Sequence, residues 1–169
     1  MVILGIDPGF SVTGFGIAKK EAGKVYLLDY GFLKMNTSKS LAERVSLFHD
    51  FFLEKIQRHS VTNLALETPF LGKNTQTFLK LGYLRGCLYL LSHKNNLVLH
   101  EFSPSEVKLS VTGFGRAEKE QVASMILKLF PRLQLPEKHD VTDALAVTLC
   151  GLWQHNRLQT YNRLNQAIR

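Results

Sequence analysis

Apolar residues fill Val2, Ile3, Leu4 and Ile6, close on Asp7, and give way to Pro8 and Gly9. A short apolar run of this kind predicts a strand buried on both faces, at the centre of an α/β sheet. Pro fixes φ and Gly tolerates φ > 0, so Pro8-Gly9 turns the chain and leaves Asp7 at the strand's carboxyl end. Open α/β sheets bind ligands at that end, although Asp-Pro-Gly is by itself also an ordinary turn sequence. Thr13 to Lys19 predicts a second strand, in which Gly14 and Gly16 permit close backbone approach. Lys24 to Lys34, rich in Val, Tyr, Leu and Phe, predicts a third. Short connections make these three strands an antiparallel meander.

Leu41, Val45, Phe48, Phe52 and Ile56 then recur at helical spacing, with Ser38 or Ser40 as cap and an end near His59. Asn63 to Glu67 reads as another buried strand, again closing on a carboxylate. A helix between two strands is a crossover, so this strand is expected to lie parallel to the first. Parallel neighbours bring Asp7 and Glu67 to one sheet edge. Thr68 to Asn74 is a loop that carries Phe70 and Lys73, and Thr75 to Lys94 is a helix with Gly82 and Gly86 one turn apart. Each glycine costs a helix about 1 kcal/mol relative to alanine. Close packing against another helix, in this chain or in a second subunit, would offset that cost.

Leu97 to Phe102 is the last strand. Ser103-Pro104-Ser105-Glu106 starts a short helix with Ser at N-cap, Pro at N1 and Glu at N3. A glycine-containing turn over Thr112 to Arg116 leads to a helix from about Ala117 to Phe130. Leu135 to His139 leads into a final helix, with Asp140 and Asp143 one turn apart at its start. Acids favour a first turn in any case. Asp143, however, opens a nearly all-apolar run from Ala144 to Trp153, and an acid so close to the core needs a partner. Ser-Val-Thr-Gly-Phe-Gly occurs at both 11–16 and 110–115, in unrelated surroundings, and is read as coincidence.

At 169 residues and 45% hydrophobic content, the chain suits one domain with a proper core. The expected division is one domain over 1–155 and a basic C-terminal tail over 156–169, with Arg157, Arg163 and Arg169, read either as frayed or as a helix that touches polyanion. No stretch has the roughly 18 uninterrupted apolar residues of a transmembrane helix. The N-terminus lacks the basic start of a signal peptide, so no membrane association is expected and cytoplasm is the default location. Cys87 and Cys150 stand far apart in apolar helical runs and read as buried, reduced thiols. The formal net charge of +7 favours polyanionic partners, nucleic acid first.

Two strand-end acids and two helix-start acids would make a cluster of four carboxylates. Such a cluster repels itself unless it is protonated or neutralised by a cation. Hard divalent cations with oxygen ligands resolve this, and Mg²⁺ leaves room for phosphate oxygens. Two such ions roughly 4 Å apart activate a water and stabilise the leaving oxygen of a phosphodiester. The histidines lack the spacing of a zinc site.

These motifs, in order, resemble the RuvC family of Holliday junction resolvases along nearly the whole chain. The residues are Ile3-Leu4-Gly5-Ile6-Asp7-Pro8-Gly9 with Thr13 to Gly16, Leu66-Glu67 with Phe70 and Lys73-Asn74, and Lys80-Leu81-Gly82 with Arg85-Gly86. They continue through Ser103 to Lys108, Gly115 to Lys119 and Asp140 to Ala146. The resemblance implies an α/β, RNase H-like fold: a mixed five-stranded sheet, its first three strands an antiparallel meander, with helices on both faces. It implies an endonuclease dependent on Mg²⁺, two ions per subunit with Mn²⁺ able to substitute, that acts as a homodimer and nicks two strands of a four-way junction DNA. It also implies work beside the RuvA–RuvB branch-migration complex.

By the same resemblance, Asp7, Glu67, Asp140 and Asp143 are the metal-binding, catalytic acids. Lys108 and Lys119 lie near the cleaved phosphate, and Phe70 lies near the cleavage centre, free to stack on unpaired bases or tucked against the protein. Lys73, Lys80, Arg85 and Arg116 join Lys108 and Lys119 as expected contacts to backbone phosphates. His139 remains open between ligand, proton shuttle and bystander. Two other classes compete: a catalytically silent junction binder on the same fold, and an actin-like phosphotransferase, whose second phosphate loop and second domain do not fit in this length.

Overall fold

The structure is a computed structural model that describes residues 1–69, 75–134 and 140–167, the last of these through the backbone alone from residue 155. Phe70, Lys73 and His139 therefore lie outside the described residues. Five strands form one mixed sheet in the order β3-β2-β1-β4-β5. They are β1 (Val2–Asp7), β2 (Val12–Glu21), β3 (Lys24–Lys34), β4 (Asn63–Glu67) and β5 (Val98–Phe102). β1 to β3 are the antiparallel meander, while β4 runs parallel to β1, and β5 to β4.

The sheet separates two cores, because side chains alternate between its faces. Leu4, Ile6, Leu64 and Leu66 face α1 (Leu41–Arg58) and α2 (Thr75–Lys94), against Phe48, Phe52, Leu84 and Leu88. Ile3 and Ala65 face α3 (Pro104–Thr112), α4 (Lys119–Leu129) and α5 (Asp140–Ala167), against Val107, Ile126 and Leu145. Ser40 caps α1 in a reciprocal box with Glu43, and Ser103 caps α3 in the same way with Glu106. α3 stops at Gly113, whose φ of 77° suits a residue without Cβ. Cys87 and Cys150 are both buried free thiols.

Glycine on the α5 face decides where the site's helix lies. A Cβ on Gly14 would stand 1.9 Å from the Asp140 carbonyl oxygen, and one on Gly5 2.2 Å from Thr148 Oγ1. Bare backbone at these positions lets α5 settle directly on β1 and β2. The Thr148 hydroxyl fastens it there, donating within 2.8 Å of the Ala144 carbonyl and 3.1 Å of the Gly16 carbonyl. α5 runs without a break past residue 155, where a tail was expected to begin. α4 starts two residues later than its apolar pattern suggests, with Glu118 as cap.

Candidate active site

Asp7 and Glu67 end adjacent parallel strands in matching register, with Ile6 opposite Leu66. Alternation aims both toward the face that α5 covers. Asp143, in the first turn of α5, joins them around a cleft of about 310 Å³. Lys108 of α3 and Lys119, the first residue of α4, complete the polar rim, and Val107, Val122 and Ala146 line its apolar part. Residues scattered from 7 to 143 thus meet at one sheet edge.

The electrostatics of the cleft are those of uncompensated negative charge. Burial, then the charges of Asp143, Glu67 and Asp140, push the Asp7 carboxyl up to about 7. Glu67 is raised for the same reasons, burial first and Asp143 next, although Lys119, Lys108 and Arg85 pull against the shift. Lys119 Nζ donates to Asp143 Oδ2 at 2.9 Å, and this bond and charge hold the ammonium in its protonated form. Among the described residues, no three acidic, imidazole or thiol side chains are gathered tightly enough to hold an ion as they stand.

The expected DNA-contacting residues separate into four groups. Lys108 is half-buried in the cleft, and Lys119 is mostly exposed at its rim. Arg116 is exposed in the α3–α4 turn, and Lys80 is exposed on α2, its ammonium 5.8 Å from the Phe10 ring centre. Phe70, Lys73 and His139 fall outside the described residues. Arg85 departs from the expectation: its guanidinium is turned inward, onto the Glu67 carbonyl and the Glu101 carboxylate. Nothing in the local sequence separates an inward arginine from an outward one, since its partner comes from another strand. Glu101 and Tyr89, which complete that network, are residues that sequence reasoning missed.

Carboxylates from two strand ends and a helix start, facing two lysines in a basic chain, define the site of a nuclease that handles phosphodiesters. Comparison with known proteins narrows this class. The family model described as "Crossover junction endodeoxyribonuclease RuvC" matches residues 3–151. A protein of that name from Pelodictyon phaeoclathratiforme is 39% identical over 167 residues, covering 99% of this chain and 87% of the relative. The solved Thermus thermophilus RuvC structure superposes with a TM-score of 0.82 at 28% identity, over 93% of this chain and 96% of that one. T. thermophilus RuvC in complex with a Holliday junction substrate gives the same TM-score at 30% identity, over 89% and 92%. The chain belongs to the RuvC family of crossover junction endodeoxyribonucleases, with the RNase H-like fold of that family.

Proposed function

We propose that this nuclease resolves four-way DNA junctions as a homodimer by paired, symmetric nicks, with Asp7, Glu67, Asp140 and Asp143 as the ligands of two Mg²⁺ ions per subunit, for which Mn²⁺ can substitute. The observation that carries this reading is the convergence of Asp7, Glu67 and Asp143 on one cleft, where burial and neighbouring acids push the Asp7 carboxyl up to about 7. An all-oxygen donor set with more negative charge than its own lysines neutralise fits a hard divalent cation. When bound, such ions supply an activated water and a stabilised leaving oxygen. Lys108 and Lys119 sit where a phosphate would enter the cleft, placed to balance charge that develops in the transition state. Lys73, Lys80 and Arg116 extend this positive surface along the DNA backbone, and Phe70 meets unpaired bases at the junction centre.

The homodimer draws support from α2. Leu79, Gly82, Tyr83, Gly86 and Leu90 share one helical stripe and are all exposed. A Cβ added at Gly82 or Gly86 would meet nothing within 4 Å, so no described element of this chain offsets the cost of either glycine. A second copy of α2 packed on this stripe covers it and creates the two-fold symmetry that paired nicks require. Residues 1–155 serve as the nuclease domain and 156–169 as a basic extension of it. The same reading takes the RuvA–RuvB branch-migration complex as partner and the cytoplasm as the place of action. Among the described residues, no helix is long and apolar enough to cross a membrane.

Incubation with a synthetic four-way junction and Mg²⁺ tests the proposal. Symmetric nicks are expected. A shifted band without nicks would instead make the chain a junction binder, and ATP turnover without junction binding a phosphotransferase.

A further inference from the structure

Among the described residues, Arg85 is the one expected DNA contact that the fold turns away from solvent. It lies in the middle of α2, and its side chain is only 7% exposed. A buried guanidinium requires partners for its charge and its donors. Nη1 donates to the Glu67 backbone carbonyl at 2.6 Å. Nη2 meets the Glu101 carboxylate, and lies 3.2 Å from the Tyr89 hydroxyl. Tyr89 in turn donates to Glu101 Oε1 at 2.8 Å, closing a three-residue network.

The Glu67 carbonyl is a revealing place for this arginine. Glu67 is the last residue of β4, opposite Phe102 at the end of β5. The next amide, Thr68 N–H, still bonds to the Phe102 carbonyl at 2.7 Å. The strand's final peptide units are thereby gripped from both sides, by β5 and by Arg85. Glu101, opposite Leu66 on β5, anchors the arginine to the same pair of strands.

We propose that Arg85 is a positioning residue for Glu67: its guanidinium, itself held by Glu101 and Tyr89, fixes the end of β4 so that the Glu67 carboxylate is presented to the cleft in one orientation. The inference rests on the reading of Glu67 as a metal-binding acid. It assigns Arg85 a task different from phosphate contact, and the two tasks separate experimentally. A lysine in its place keeps the charge but cannot fork between a carbonyl and a carboxylate.

The test compares Arg85→Lys, Glu101→Gln and Glu67→Gln with the unaltered protein. Single-turnover cleavage of a synthetic four-way junction, junction affinity across a salt series, and the Mg²⁺ concentration needed to raise Tm without DNA are measured for each. Misplacing a reacting group by an ångström costs about 10²-fold in rate. Arg85→Lys is therefore expected to cleave about 10²-fold more slowly and Glu101→Gln about tenfold more slowly. Both should need more Mg²⁺, with junction affinity and salt slope unchanged. Weakened binding with a salt slope reduced by about one would make Arg85 a phosphate contact and overturn the proposal. So would a normal rate and Mg²⁺ response in Arg85→Lys or, if that variant does not fold, in the partly exposed Glu101→Gln. Cleavage by Glu67→Gln at the normal rate would overturn the reading of Glu67 itself, whatever Arg85 does.

Discussion

Asp7 and Asp29 lie on strands of one sheet, and the fold treats their carboxylates in opposite ways. Burial works to raise Asp29 too, but Lys55 Nζ at 2.8 Å, His59 Nε2 at 3.1 Å and the Tyr30 amide at 2.8 Å outweigh it and leave the carboxyl lowered. Asp7 is instead buried and surrounded by Asp143, Glu67 and Asp140, with Lys119 opposing, and is pushed up to about 7. Asp29 is satisfied by the protein that holds it. Asp7 is left in electrostatic debt, and that debt is what a ligand of opposite charge can settle. Of these two perturbed carboxylates, the one whose neighbours share its sign is the one in the cleft.

The contrast breaks most sharply in catalysis. Asp7→Asn should lower junction cleavage by at least about 10³-fold while sparing junction binding, since it removes a group aimed at the reacting centre. Asp29→Asn should cleave within about twofold of the unaltered protein, because Asp29 does not line the cleft. Single-turnover assays with a band-shift control measure both. A smaller loss is expected for Lys119→Met, about 10–10²-fold in rate. The same variant removes a lowering influence on Asp7, so the Asp7 carboxyl should titrate at still higher pH, as carboxyl-resolved NMR would show.

Stability should separate the two aspartates by sign. The folded-state value of Asp7 is raised from 3.8 to about 7, so the metal-free fold loses stability as pH rises from about 4 to 7, and the loss is complete above that. Asp7→Asn removes this penalty: in EDTA it should raise stability at pH 7.5 by about 2–4 kcal/mol, with a smaller gain at pH 5 and little near pH 4. Asp29 has a lowered value, so its contribution is present above about 3.8 and is lost as pH falls below that. Asp29→Asn should cost about 1 kcal/mol at neutral pH, since solvent screens a partly exposed pair. Thermal melts across pH distinguish these outcomes. The smallest effect is expected at Lys80, where Lys80→Ala should reduce the salt slope of junction binding by about one and leave the cleavage rate of bound junction unchanged.

Much of this was legible in the chain because its signals are local. Lys24–Lys34, Asn63–Glu67 and Thr75–Lys94 match the elements their patterns predict, the Ser103–Glu106 box forms as read, and Ser40, one of the two candidates, caps α1. The convergence of Asp7 and Glu67 needed only the crossover rule, and Gly14 does permit the close approach expected of it, to the Asp140 carbonyl. The illegible part depends on partners distant in sequence or outside the chain. The inward turn of Arg85, on α2, is set by Glu101 on β5. Gly82 and Gly86 offered two packing partners to the sequence reader, and no described element of this chain approaches either. Leu41 fits the apolar face of α1 by spacing but stays exposed in its first turn. The continuation of α5 through Ala167 is carried by residues too polar to announce a helix by periodicity.

Diffraction from Mn²⁺-soaked crystals at the manganese absorption edge tests the central claim most directly. The expected result is anomalous density in the cleft, at oxygen-coordination distance of both Asp7 and Glu67. Manganese bound only elsewhere on the molecule, in crystals of protein that cleaves junctions, would contradict it.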